Sequence, residues 1–147
     1  MIKSQIKRAY QPVDQFLEDN RVLVVYGPRR VGKTTLINQF LSSTKLNYKL
    51  DSGDDIKVQG IVSSSNIAWI KEYCKGYDLI VLDEAQNIPE VGKGLKIMVD
   101  HIPGIKVIAT GSSSFDLSSK IGEPLVGRQR ILKLFPVATM ELLNHFN

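Results

Sequence analysis

Cysteine is almost absent: Cys74 is the one thiol among 147 residues, so no disulfide can close within the chain. Neither a Cys/His zinc pattern nor a pair of reactive thiols can be assembled from it, which points to a reducing, cytoplasmic setting. Long hydrophobic runs are missing too. The longest strongly apolar stretches are Val22 to Tyr26 and Leu79 to Leu82, and MIKSQIKRAYQPVDQF at the N-terminus carries charges where a signal peptide needs an unbroken apolar segment. No membrane span or export is expected. Aromatic residues make up only 7%, and no block of like charges occurs. The net charge of +4 comes from scattered Lys and Arg without an aromatic-interleaved basic stripe, which argues against direct nucleic-acid binding. His101 and His145 stand alone, with no second metal ligand at suitable spacing, and are read as surface or packing residues.

What is present is the composition of one folded domain, with 43% hydrophobic and 23% charged residues. Short β-branched apolar runs alternate with longer amphipathic stretches, the pattern of a parallel sheet covered by helices. Five strands are expected: Arg21 to Tyr26, Leu46 to Leu50, Asp78 to Asp83, Ile105 to Thr110 and Arg130 to Phe135. The first and third are almost wholly apolar and belong near the middle of the sheet. Helices are expected over Lys33 to Ser42, Ser65 to Lys75, Pro89 to His101 and from Val137 onward, with Ser64 or Ser65 capping the second and Pro103-Gly104 stopping the third. Trp69 and Cys74 share one amphipathic helix and are expected to be core or half-buried. Asp51 to Gly60 reads as loop with at most a helical turn.

Residues 1–20 form an expected N-terminal helical segment, with a helix from about Ser4 to Leu17 that Pro12 kinks or begins. Residues 21–147 form the core domain. Met140, Leu142, Leu143 and Phe146 give the last helix apolar surface with no later element to cover it. The core is therefore expected to be truncated at its C-terminal end, as a piece of a longer protein; packing of that helix on its own domain is the competing reading.

Gly27-Pro28-Arg29-Arg30-Val31-Gly32-Lys33-Thr34 matches G-x-x-x-x-G-K-[ST], directly after a hydrophobic strand and directly before a helical pattern. Gly27 and Gly32 let the backbone approach phosphate oxygens so that successive N–H groups converge on an anion, and the helix starting near Lys33 adds its positive end. Lys33 supplies a point charge for the β- and γ-phosphates, and the Thr34 hydroxyl suits Mg²⁺ bridging them. Thr35 faces the α-phosphate or packs on the loop. Arg29 and Arg30 fill free positions, either solvated or closing over the phosphates.

Leu79 to Leu82 ends in Asp83 and Glu84, and ligands in open parallel sheets sit at the carboxyl ends of strands. Asp83 suits the Mg²⁺ shell, and Glu84, one residue farther out, suits orientation and deprotonation of an attacking water. The fourth strand runs into Gly111-Ser112-Ser113-Ser114. A hydroxyl from Thr110 or Ser112 could sense the γ-phosphate, or Ser could simply serve a cap or turn. Arg128, in Gly127-Arg128-Gln129-Arg130, is a candidate for neutralising transition-state charge within this chain or across a subunit boundary, against a plain structural role. Tyr10 or Arg8, just before the first strand, are candidates for contact with adenine.

Together GPRRVGKTT, LIVLDEAQ, ATGSSS and LVGRQRILKLFPVATMEL resemble the ATPase domain of a prokaryotic family in the AAA superfamily, over Arg21 to the end. Members of that family typically carry a second, C-terminal domain of unknown function. The resemblance implies a three-layer α/β P-loop NTPase fold, with a five-stranded parallel sheet in the order 5-1-4-3-2, and ATP as ligand. It implies Gly27 to Thr34 as the Walker A loop, Asp83 and Glu84 as the Walker B pair, and Thr110 or Ser112 as sensor. The leading expectation is a Mg²⁺-dependent ATPase. A nucleotide-dependent switch or binding module, with negligible hydrolysis until a second copy or another protein completes its site, is the alternative. A small-molecule kinase would need an acceptor pocket and an arginine-rich lid, neither marked here, and a GTPase would need an N-K-x-D segment, which does not occur.

Overall fold

A computed structural model describes residues 13–27, 33–112 and 123–134. Five strands, β1 (Arg21–Tyr26), β2 (Tyr48–Ser52), β3 (Leu79–Asp83), β4 (Lys106–Gly111) and β5 (Gln129–Lys133), form one sheet. Their order is β2-β3-β4-β1-β5, the anticipated arrangement read from the other edge. Every neighbouring pair is parallel. The helices are α1 (Lys33–Ser43), α2 (Ile56–Val62), α3 (Ile67–Cys74) and α4 (Val91–His101). Among the described residues no helix is long and apolar enough to cross a membrane.

Side-chain alternation along the strands builds two cores. Val22, Val24 and Tyr26 of β1 join Ile80, Leu82, Val107 and Ala109 under α2, α3 and α4. Leu23 and Val25 join Val81 and Ile108 on the opposite face, under α1 and the 3-10 turn Val13–Phe16. The result is three layers. Each fully buried aliphatic side chain contributes about 1.5–3 kcal/mol, and the interior strands β1, β3 and β4 supply Leu23, Leu79, Ile80, Leu82 and Ile108 among the largest of them.

The edge strands depart from expectation. β2 lies two residues later than Leu46 to Leu50, and β5 runs over Gln129–Lys133 instead of Arg130 to Phe135. β2 has no fully buried residue and β5 only one, so hydrophobic contrast marks their limits poorly. Of the helix expected from Ser4 to Leu17 only residues 13–17 are described, and Val13–Phe16 is a 3-10 turn; the segment from Val137, expected to be helical, lies outside the described residues, as do Arg8, Tyr10 and His145.

The segment expected to be mostly loop contains α2. Asp55 caps it, its carboxylate accepting from the Lys57 and Val58 amides at 2.9 and 3.5 Å. Asn66, not Ser64 or Ser65, caps α3 by accepting from the Trp69 amide at 3.1 Å. Ser64 is engaged instead with the Ile61 carbonyl at the end of α2. Trp69 is 59% exposed, against expectation. Ile70, Tyr73 and Cys74 turn inward at helical spacing, and Trp69 stands one residue off that stripe in the first turn. Cys74 is 2% exposed, and burial pushes its thiol up to about 12.

Asn20 stitches the start of β1 to the end of α4. Its backbone is left-handed at φ 57°, its amide nitrogen donates to the Val99 and Ile102 carbonyls at 2.8 Å each, and its side-chain oxygen accepts from the Gly104 amide at 3.0 Å. These bonds satisfy carbonyls that a helix end leaves open. Asn20→Ala is expected to cost about 2 kcal/mol through lost hydrogen bonds and the strained φ, seen as a lower urea midpoint with an unchanged slope.

Candidate functional site

The carboxyl ends of β1, β4 and β3 converge, with β4 between the other two. β1 delivers the buried Gly27, and α1 begins at Lys33. Lys33 is 7% exposed and its ammonium donates to the Gly27 carbonyl at 2.9 Å, across the loop it follows. Thr34 and Thr35 are exposed on the first turn of α1. Pro28, Arg29, Arg30, Val31 and Gly32 lie outside the described residues.

On the far side of β4, Asp83 ends β3. The Thr110 hydroxyl, 1% exposed, donates to Asp83 Oδ1 at 2.5 Å and accepts from the Glu84 amide at 3.2 Å. A hydroxyl has one proton to give. Thr110 therefore spends it on Asp83 and pins the backbone of Glu84, so the two sensor candidates differ in place: Thr110 braces the acidic pair, and Ser112 lies partly open two residues on.

Thr34 and Asp83 line one cavity of about 340 Å³, floored by Ile37, Leu50 and Val81. A hydroxyl and a carboxylate are hard oxygen donors of the kind Mg²⁺ takes while keeping other positions for water and phosphate, so the donor set fits that ion. No cluster of three or more His, Cys, Asp or Glu suited to a metal occurs among the described residues.

Two residues that sequence reasoning missed shape Glu84. Its backbone is left-handed at φ 53° and ψ 46°, a conformation costing a non-glycine residue about 1–2 kcal/mol. Gly53, just after β2, donates its amide to the Asp83 carbonyl at 2.7 Å and lies so close that a Cβ on it would meet the Glu84 carbonyl oxygen at 2.1 Å. Gln86 donates to Glu84 Oε2 at 2.5 Å and to Ser112 Oγ at 3.4 Å. The signal for Gly53 was the Ser-Gly-Asp-Asp run at a strand end. Gln86 carried none, because its contact with Glu84 is made by a left-handed residue and a 3-10 turn that no sequence period marks.

Arg128 is not brought to this site within the chain. Its backbone carbonyl accepts from the Val22 amide at the start of β1, five residues before Gly27 and about 17 Å away at strand rise. Its guanidinium pairs with Asp100 at 2.7 Å. Parallel strands put the residue before β5 at the end of the sheet away from the carboxyl ends of β1, β3 and β4. His101 is exposed nearby, at the end of α4.

A family model described as an AAA domain matches residues 19–143. An uncharacterized protein of Mycobacterium tuberculosis is 30% identical over 115 residues, covering 77% of this chain and 24% of that protein. An uncharacterized protein of Methanocaldococcus jannaschii is 26% identical over 149 residues, 99% of this chain and 33% of that protein. The chain thus matches about a quarter to a third of the length of these curated relatives. Among solved structures, the replication initiator DnaA bound to AMPPCP and single-stranded DNA superposes with a TM-score of 0.56 at 16% identity, over 80% of this chain and 41% of that one. Domain III of the Thermotoga maritima replication initiation protein DnaA gives 0.56 at 17%, over 84% and 58%. These two share the fold.

Proposed function

The chain belongs to the family of AAA domains, a prokaryotic AAA-type P-loop ATPase domain, and from that premise we propose that it binds ATP with Mg²⁺ and hydrolyses it to ADP and phosphate. The observation that carries this reading is the bracing of Asp83 and Glu84 by the single hydroxyl of Thr110, beside a cavity that Asp83 shares with Thr34. It aligns a cation-binding carboxylate and a spare carboxylate at one strand end.

Thr34 and Asp83 would hold the magnesium ion. Bound there, the ion supplies positive charge that offsets the charge gathering on the phosphoryl oxygens. Lys33 would exchange the Gly27 carbonyl for phosphate oxygens, an ammonium already desolvated and held at the end of β1. Gly27 to Gly32 would wrap the phosphates with backbone amides, and Thr35 would follow on the helix. Glu84 takes the proton of the attacking water as its oxygen bonds to the γ-phosphorus and the bond to the β-bridging oxygen breaks. Ser112 is the hydroxyl left to report the γ-phosphate. The setting is cytoplasmic, in keeping with the lone buried thiol.

A second reading, a nucleotide switch with slow intrinsic turnover, is favoured by one observation. The described arginines, Arg21, Arg128 and Arg130, sit toward the edge of the sheet away from the loop, paired with Glu18, Asp100 and Glu18. An arginine for the transition state would then come from a second copy or another protein, with Arg128 the candidate donor.

Calorimetric titration with ATP and magnesium, and phosphate release at rising protein concentration, test both. Saturable heat that chelation of the metal weakens at least about tenfold, with turnover lost on chelation, is expected. Turnover per chain that climbs with concentration assigns the arginine to a second copy. No heat at millimolar nucleotide overturns the proposal.

A further inference from the structure

Gln86 lies in the 3-10 turn Ala85–Asn87 that Glu84 opens, and is 8% exposed. Polar groups so enclosed are costly unless hydrogen-bonded. Its amide nitrogen carries two hydrogens and stands between two strand ends, 2.5 Å from Glu84 Oε2 at the end of β3 and 3.4 Å from Ser112 Oγ just past β4. The left-handed backbone of Glu84 and the Thr110 bond fix where the residue starts. They leave its rotatable side chain to be aimed. The amide holds one carboxylate oxygen, which keeps the other as the proton acceptor.

We propose that Gln86 is a positioning residue for hydrolysis: its side-chain amide aims the Glu84 carboxylate at the water and ties it to Ser112. This rests on the hydrolytic reading above and deepens it. The bond to Ser112 gives the arrangement a second consequence, since a γ-phosphate that draws on the Ser112 hydroxyl bears on the same amide that holds the base. Gln86 touches neither water nor nucleotide in this scheme and acts through Glu84.

The test is a double-mutant cycle on this chain, with Gln86→Leu, Glu84→Gln and the pair, read by single-turnover rate, kcat, KM and nucleotide affinity. Gln86→Leu is expected to lower kcat by about tenfold or more, the rate equivalent of a hydrogen bond to a charged group. KM and nucleotide affinity should stay within about twofold. In the Glu84→Gln background Gln86→Leu should add less than about twofold, since the group it acts through is gone. A purely structural role would instead multiply its loss onto that of Glu84→Gln and weaken nucleotide binding. Gln86→Met, longer and more adaptable, serves if the leucine variant does not fold. A kcat unchanged in the Gln86 variants while Glu84→Gln is inactive overturns this inference alone. No turnover in the unaltered chain overturns the hydrolytic reading, and the inference falls with it.

Discussion

Glu84→Gln is expected to lower ATP turnover about 10²- to 10⁴-fold while nucleotide affinity holds or rises, the range lost when a general base is removed. The substitution keeps size and shape. The amide oxygen still accepts from Gln86, Thr110 holds Glu84 through its backbone amide and Asp83 through a carboxylate that is not altered, and Gly53 bonds to the Asp83 carbonyl. What disappears is the capacity to take a proton, so the loss should fall on kcat. Phosphate release read beside calorimetric affinity separates the two. Equal turnover in both proteins would remove Glu84 from the chemistry and leave its strained backbone without a catalytic reason.

The second large effect comes from adding one methyl group at Gly53 and, for comparison, at Gly94. A Cβ at Gly53 would meet the Glu84 carbonyl oxygen at 2.1 Å, and one at Gly94 would meet the Val62 carbonyl oxygen at 2.4 Å where α4 crosses α2. Both obstacles are backbone, which cannot swing aside as a flexible side chain does. Each alanine variant should lose about 2–3 kcal/mol of unfolding free energy, in the usual range for overpacking, and a domain of ordinary stability survives that. Their activities should part. Gly53→Ala must shift the carbonyl of the residue that carries the base, and a displacement near 1 Å costs about 10²-fold in rate. Gly94→Ala disturbs a helix contact away from the reaction site and should retain turnover in proportion to its folded fraction. Thermal melts paired with initial rates decide the matter: equal activity in the two variants would mean that the Gly53 contact does not govern Glu84.

How legible all this was in the amino-acid order depended on contrast. β1 was delimited to the residue, because RVLVVY is apolar between a turn and a glycine loop and is buried on both faces. The sheet order followed from the resemblance carried by four motifs in sequence. β2 slipped by two residues because Tyr48 and Leu50 lie exposed on an edge, where pattern and burial disagree. α2 was missed because IKVQGIV is short and holds a glycine, although Asp55 before it was a usable cap signal. At the candidate site, Lys33 and Thr34 were proposed from the phosphate-loop pattern, and Asp83 and Glu84 from their place at the end of an apolar strand. What spacing could not separate was the work of Thr110 from that of Ser112, because that division depends on where one hydroxyl proton points. Arg128 was placed in the right segment, yet its edge of the sheet becomes clear only when the register of β1 against β5 is known.

Cys74 has a use of its own. Buried in the core beside α4 and the sheet, with burial pushing its thiol up to about 12, the solitary sulfur is expected to react with an alkylating reagent chiefly when the native packing briefly lets go. The unaltered polypeptide therefore carries an internal stopwatch. The pace at which that sulfur is capped reads the breathing of the α3 layer, and any bound molecule that steadies the folded form slows the hand by its own mass-action factor.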